Sequence, residues 1–282
     1  MIDIHSHILP QIDDGAEIID TTLEMLKNAV KDGVKKIVAT PHYCIGYGTT
    51  IITDVKDYVN KLNCLLREKE LKIQIYSGQE VYLNEHTIED YLEGNIGTIN
   101  DSKYMLTECS INEFNDDIFD IIYELKIRGI IPIIAHPERY VPIIENVLYI
   151  NKFIESGCLF QMNSGSIEGL FGKKVKLVAE LFLNNGIYNF IGSDAHNNIN
   201  RTTGLSKAIN ISNSINIKSE KVFMEGASKL LENKDIEFCG QKLKEKKSIF
   251  DFCNKTKKKR VLYWEGCGIK CKANLNNVNK GD

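Results

Sequence analysis

Seven apolar runs in this chain each end at or beside a residue that can bind a cation. These residues are His7, His42, Glu80, Glu108, His136, Asn163 and Asp194, spaced at intervals of 27–38 residues. The interval is that of one strand, one return helix and the loops between them. Units that alternate in this way imply a parallel sheet with helices outside. Every candidate falls at the C-terminal end of its strand, where α/β barrels assemble their sites. An open doubly wound sheet would gather its chemistry at a single switch point. The spread over seven strand ends therefore predicts a barrel.

Local signals place the units. The first strand runs from Met1 into His5-Ser6-His7, and a loop follows over 8–17. Thr21-Thr22-Leu23-Glu24 predicts a capping box opening a helix that reaches Asp32-Gly33. Strands are predicted over 36–42, 73–80, 104–108, 130–136, 159–163 and 188–196. Helices are predicted over 54–70, 85–93, 116–128, 143–156, 173–185 and, as several segments, 200–231.

On a strand His5 and His7 face the same way, with Cβ atoms about 7 Å apart, and can chelate one ion. Asp194-Ala195-His196 repeats that spacing. Five of the six histidines (5, 7, 42, 136 and 196) sit at strand ends. A lone histidine there is ordinary loop chemistry, but five joined by Glu80, Glu108 and Asp194 are not. Glu80 on a buried strand is costly as a free anion and natural as a carboxylate bridging two cations. Nitrogen and carboxylate donors without thiolates suit Mn²⁺, Zn²⁺ or Fe²⁺ in a hydrolytic site. Arg139 and Arg201 lie close behind ligand candidates. A guanidinium repels metals, so the pair makes sense only with an anion between, which points to a phosphate ester.

Composition narrows the class further. No apolar run approaches the roughly 18 residues of a membrane span, and no charged segment leads into an apolar one at the start; the expectation is a cytoplasmic protein. The eight cysteines are read as reduced thiols. No cysteine has an arginine six positions later, so the thiol-phosphatase loop is absent. The net charge of −3 hides an asymmetry: residues 241–282 hold 12 Lys+Arg against 4 Asp+Glu, and the body is acidic. An acidic body suits a protein that gathers cations.

The strings IDIHSHILPQIDDGA, VATPHY, SGQEVYL, IIAHPERY, QMNSGS and IGSDAH resemble the polymerase-and-histidinol-phosphatase (PHP) family. More narrowly, they resemble its bacterial manganese-dependent tyrosine phosphatases of capsular and exopolysaccharide operons. The resemblance covers residues 1–240 and leaves 241–282 as a basic C-terminal tail of unknown role. It implies an α/β fold, a distorted seven-stranded (β/α) barrel of PHP type, holding up to three ions. His5, His7, Glu80 and Asp194 would hold the first; Glu80, Glu108 and His136 the second; His42, His196 and Asp14, or its neighbour Asp13, the third. Mn²⁺ is the expected metal, with Zn²⁺ or Fe²⁺ as alternatives, and Glu80, Arg139 and Arg201 are the expected catalytic residues. Gln11 departs from the subfamily, which usually has glycine there. In the tail Cys253, Trp264 and the pair Cys267/Cys271 match no known pattern.

The activity so implied is hydrolysis of phosphotyrosine on a protein partner, a bacterial tyrosine kinase tail, with neither nucleic acid nor membrane span involved. A small-molecule phosphatase of the histidinol-phosphate type is the alternative. A metal-dependent amidohydrolase fits less well, because those barrels usually carry lysine where Glu108 stands. The two arginines argue against a catalytically idle metal-binding regulator.

Overall fold

The structure is a computed structural model that describes residues 1–114 and 117–244. Asp116, the expected start of the fourth helix, and Cys253, Trp264, Cys267 and Cys271 lie outside the described residues. Ten strands are described: β1 (Ile2–Asp3), β2 (Lys36–Ala39), β3 (His42–Cys44), β4 (Gly48–Thr49), β5 (Gln74–Ser77), β6 (Glu80–Tyr82), β7 (Tyr104–Glu108), β8 (Ile131–Ala135), β9 (Leu159–Asn163) and β10 (Phe190–Gly192). They pair as β1-β2-β5 and as β10-β9-β8-β7-β6-β3-β4, parallel throughout except at the β3–β4 hairpin.

The two sheets are one distorted barrel. β2 and β3 are a single barrel strand broken at Thr40-Pro41, and β5 and β6 another broken at Gly78-Gln79. Proline brings no N–H to the ladder. At Gly78 an added Cβ would meet Val38, Ile99 and Thr40 at 3.1–3.3 Å. Backbone bonds cross the breaks, from Gly78 N to Ala39 O (2.9 Å) and from Glu80 N to Pro41 O (3.0 Å). The first and last strands meet through the parallel bridge Ser6–Ala195, with His7 N to Ala195 O and Asp194 N to His5 O both 2.8 Å. Counting each broken strand once, and leaving out the antiparallel hairpin strand β4, gives the expected seven.

Strand alternation stacks the interior in layers. Tyr104 and Leu106 on β7, Ile133 and Ala135 on β8, Leu159 on β9 and Phe190 on β10 join Ile4 and Val38 in one apolar cluster, which Ala227, Leu230 and Leu231 of the last helix (Ser219–Leu231) close. Continuing by twos on the same faces reaches Glu108, Gln161 and Asn163, and Asp194. The outward residues Met105, Ile134, Phe160 and Met162 belong to the larger cluster beneath the surrounding helices. Ile52, Val55, Val59, Leu62 and Leu66, spaced by threes and fours, form the buried stripe of the helix Ile52–Glu68.

Three local expectations are corrected. The first helix is Ile19–Lys31 with Ile18 at its cap and no capping box, since Thr21 already lies within it; Thr22 donates its hydroxyl to Ile8 O at 2.7 Å. The span 143–156 is interrupted: Asn146 is extended (φ −141°, ψ 91°) between Val141–Glu145 and the turns that lead into Ile150–Glu155. Helix resumes only at Ser206, not Asn200. The compact unit extends to Lys244, four residues past the expected boundary; Leu243 is buried, and its N–H donates to Asn151 Oδ1 at 2.9 Å. No described helix is long and apolar enough to cross a membrane.

Candidate active site

The predicted residues converge at one end of the barrel. Glu80 is the focus: its Oε2 lies 3.1 Å from His5 Nε2, 3.2 Å from His7 Nε2 and 3.2 Å from His42 Nδ1, while Oε1 lies 3.0 Å from His136 Nε2. Strand pairing puts it there, because His42 and Glu80 are register partners on β3 and β6. Three groups have donor atoms all within 4.8 Å of one another: His5, His7, Glu80 and Asp194; His42, Glu80 and Glu108; and His7, Asp14, His42 and His196. The first coincides with the expected set. The third adds His7 to the expected one. In the second His42 takes the place expected of His136, although His136 Nε2 is also 3.5 Å from Glu108 Oε1.

The Asp13/Asp14 doublet divides cleanly. Asp14 Oδ1 is 3.2 Å from His196 Nε2 and 3.5 Å from His42 Nε2, facing the centre. Asp13 turns behind it, with Oδ2 2.7 Å from His7 Nδ1 and accepting from His42 N at 3.1 Å. A carboxylate on Nδ1 fixes the tautomer that leaves Nε2 free as a donor. Gln161 does the same for His5, its Oε1 3.0 Å from Nδ1. Asn163, though at a strand end, donates to Asp194 Oδ2 at 2.6 Å and lies outside the three groups. Glu138 is fully buried and accepts from Asn163 N (3.0 Å) and Tyr188 Oη (2.9 Å), bracing the strand end. Sequence reasoning passed over Gln161 and Glu138. Gln161 was legible in principle, since it shares a strand face with Asn163 two residues on.

The residues fit a cation. Glu80 Oε2 and His42 Nδ1 are buried without a hydrogen-bond partner although they lie 3.2 Å apart, as lone-pair donors converging on one point would. Electrostatics agree. Burial opposes ionisation of Glu80, but the imidazoles of His5 and His42 outweigh it and hold the carboxyl well below its ordinary range. Burial, then the charge of Glu80, pushes Glu108 well above its own. Burial also disfavours the Asp14 anion, yet the hydrogen bond from His196 and the nearby imidazoles bring it down to about 2. Burial and the Arg139 guanidinium lower His136 to about 4, leaving it neutral with a lone pair to offer.

Both arginines face Asp194. Arg139 Nη1 is 2.8 Å from its Oδ2 and Arg201 Nη2 is 2.6 Å from its Oδ1. The anion beside them here is therefore a protein carboxylate, which the sequence argument had not considered. Arg139 also stacks on Phe171, 4.5 Å from the ring centroid. Both guanidiniums remain partly exposed and line a cavity of about 340 Å³ with Asp14, His42, Glu80, Glu108, His136 and His196. A larger cleft of about 480 Å³ shares Arg201 with it and contains none of the expected metal ligands.

Residues 1–232 match the family described as capsular polysaccharide synthesis, CpsB/CapC. The chain is 34% identical over 238 residues to the tyrosine-protein phosphatase YwqE of Bacillus subtilis, covering 84% of this chain and 93% of that one. To the tyrosine-protein phosphatase CpsB of Streptococcus agalactiae it is 30% identical over 244 residues, 83% of this chain and 99% of the other. A solved structure from work on YwqE of Bacillus subtilis and CpsB of Streptococcus pneumoniae, described as unique metal-dependent tyrosine phosphatases, superposes with a TM-score of 0.82 at 33% identity. That match covers 86% of this chain and 100% of that one.

Proposed function

The chain belongs to the CpsB/CapC family of capsular polysaccharide synthesis, and from that membership we propose that it is a metal-dependent protein-tyrosine phosphatase. The observation that carries the reading is the buried convergence of His5, His7, His42, Glu80 and Asp194, with two arginines on the same cavity. His5, His7, Glu80 and Asp194 would hold one divalent ion, Glu80 and Glu108 with His136 or His42 a second, and Asp14, His42 and His196 a third. Mn²⁺ is the metal we assign, following the resemblance to manganese-dependent phosphatases; the imidazole and carboxylate donors suit Zn²⁺ or Fe²⁺ as well.

When bound, divalent ions in such a site lower the pKa of a water and draw charge from phosphoryl oxygens. Arg139 and Arg201 bind and orient the phosphoryl group, trading part of their contact with Asp194 for the substrate anion. Their charge-assisted bonds tighten as negative charge builds on the equatorial oxygens. The departing phenolate, with a pKa near about 10, needs little help from a proton donor. Thiol chemistry has no support. Burial pushes Cys44, the cysteine on the cavity wall nearest His42, above its ordinary range, and Glu108 and Glu80 add to the shift.

The protein partner we propose is a phosphotyrosine-bearing kinase tail, met in the cytoplasm. We also propose that residues 245–282 take no part in the chemistry. The test is an assay of metal-stripped protein on a phosphotyrosine peptide and on histidinol phosphate, with Mn²⁺, Zn²⁺ or Fe²⁺ restored. It should be run on the full chain and on one ending at Lys244. Peptide turnover that needs the ion, matches within about threefold between the two chains (roughly 0.6 kcal/mol) and exceeds histidinol phosphate turnover is expected. Full rate without metal would overturn the reading, and preference for histidinol phosphate would favour the small-molecule alternative.

A further inference from the structure

One wall of the catalytic cavity is left unused by the metal and phosphoryl chemistry. We propose that Tyr47 forms the subsite for the aromatic ring of the substrate, so that this side chain selects aryl over alkyl phosphates. The proposal rests on the phosphatase reading and deepens it.

Tyr47 lines the same cavity as His42, Arg139 and Arg201, and its ring centroid is 5.5 Å from that of His42, the planes inclined by 53°. The side chain is 61% exposed, so core packing does not account for it, and its hydroxyl has no hydrogen-bond partner among the described residues. Its backbone, by contrast, is held. Tyr47 N donates to Cys44 O at 3.1 Å, closing the turn between β3 and β4, and Gly46 supplies the left-handed φ of 93°. Gly48 lies so close to the ligand loop that an added Cβ would be 2.7 Å from Ile12 O. At the foot of the hairpin Tyr43 Oη donates to Asp90 Oδ1 at 2.9 Å. A fixed turn thus presents a free aromatic face at the mouth of a cavity otherwise rich in charged and polar side chains.

The chemistry of the substrate supplies the other half. In an aryl phosphate one ester oxygen separates phosphorus from the ring, so a phosphoryl group seated by the arginines puts the ring at the cavity mouth. Inorganic phosphate has nothing to place there, and an alkyl phosphate offers no ring. An aromatic pair adds roughly 3- to 10-fold in affinity beyond the area buried.

The experiment measures binding of benzylphosphonate, whose methylene stands for the ester oxygen before the phenyl ring, and of methylphosphonate to the Mn²⁺-loaded full chain by calorimetry. It compares wild type, Tyr47→Phe and Tyr47→Ala, with kcat and KM on a phosphotyrosine peptide alongside. Tyr47→Ala should cut the preference for benzyl over methyl by about 3- to 10-fold and raise KM by a similar factor. Methylphosphonate affinity, bound metal and kcat should stay within about twofold. Tyr47→Phe should behave as wild type, since the hydroxyl is not used. The proposal is overturned if wild type shows no benzyl preference, if Tyr47→Ala keeps it, or if both phosphonates weaken together, which would make Tyr47 a support for His42. Wild type that turns over no phosphotyrosine peptide with any ion would defeat the phosphatase reading, while the phosphonate ratio would still decide the subsite.

Discussion

The first three barrel strands and the last four bring donors to the same point by different means. In the first set two strands break and restart, at Thr40-Pro41 and Gly78-Gln79, and His42 and Glu80 begin the new segments as register partners in extended backbone. In the second set the strands run unbroken, and two of the four exit through left-handed residues, His136 at φ 33° and Asp194 at φ 51°. Non-glycine residues pay about 1–2 kcal/mol for that conformation and adopt it where the surroundings enforce it. The restart keeps donors pairable, so one carboxylate can face three imidazoles. The left-handed exit sends the chain into loops, and those loops carry Arg139 and Arg201. The first half therefore supplies the shared carboxylate and most of its imidazoles. The second adds ligands of its own (Glu108, His136, Asp194 and His196) and alone carries the arginines for the anion.

The largest effect should come from the shared carboxylate of the first half. Glu80→Gln keeps the shape and removes the charge on which His5, His7, His42 and His136 converge. Turnover of an aryl phosphate should fall by several orders of magnitude, on the order of 4 kcal/mol or more in barrier. Metal analysis of the same protein should show reduced content. Normal metal and rate would mean that Glu80 is not the bridge, and the division between the halves would collapse.

Arg139→Ala and Arg201→Ala test the other half. Each should lower turnover by about 10²–10³, or about 2.5–4 kcal/mol, with inorganic phosphate inhibiting less well. Because both side chains also contact Asp194, the metal readout decides which role matters. If they serve the phosphoryl group, bound metal stays at the wild-type level, and lysine restores only part of the rate because it lacks the two-pronged geometry. Loss of metal in step with loss of rate would make them supports for Asp194, and the second half would then serve metal holding alone.

The contrast between halves was half legible in the sequence. The intervals between ligand candidates and the apolar period fixed the seven units and their polar ends, because both follow from strand alternation. The breaks were not readable. Pro41 and Gly78 interrupt apolar runs, but nothing local says that the strand resumes on a second sheet. Asp13 and Asp14 could not be separated, since adjacent acids differ only in the direction the backbone gives them. The arginines were read against a substrate anion alone, because the approach of Asp194 to both is a tertiary fact. Thr21-Thr22-Leu23-Glu24 misled for a related reason: packing starts the helix earlier, at Ile19, so Thr21 lies inside it and cannot cap it.

The seam between the halves offers a pH test. Asp3 is fully buried; its Oδ1 accepts from His5 N (3.2 Å) and Ser193 N (2.9 Å), and Oδ2 has no partner. Burial raises its carboxyl to about 6, against the partial relief of the Ser193 and His5 hydrogen bonds. For an acid raised in the folded state, the native protein binds the proton more tightly than the unfolded chain. Stability is therefore full below about pH 4 and is lost as pH rises to about 6, by up to roughly 3 kcal/mol. Asp3→Asn keeps the accepting oxygen and removes the titration. In urea unfolding of metal-free protein it should gain about 1–3 kcal/mol on wild type at pH 8 relative to pH 4.5. An identical pH slope in both proteins would show that the seam does not carry this charge cost.

The smallest effect isolates backbone strain from chemistry. Gln11 is also left-handed, at φ 62°, with its N–H donating to Ala16 O at 2.9 Å and its side chain exposed. Glycine adopts this conformation without the steric cost of a Cβ. Gln11→Gly removes about 1–2 kcal/mol of steric cost and returns about 0.5–1 kcal/mol through the looser unfolded chain. The net gain should be about 0.5–1 kcal/mol, read as a rise in Tm of roughly 2–3 °C. Aryl phosphate turnover should stay within about twofold, because the Ala16 bond survives and the loop still delivers Asp14. The same replacement at His136 would relieve the same strain and delete a side chain that faces Glu80, so the two variants should part by orders of magnitude in rate. If Gln11→Gly lowers Tm instead, left-handed backbone in this fold is not a cost that glycine relieves. The account of why the second half strains His136 and Asp194 would then need a different physical basis.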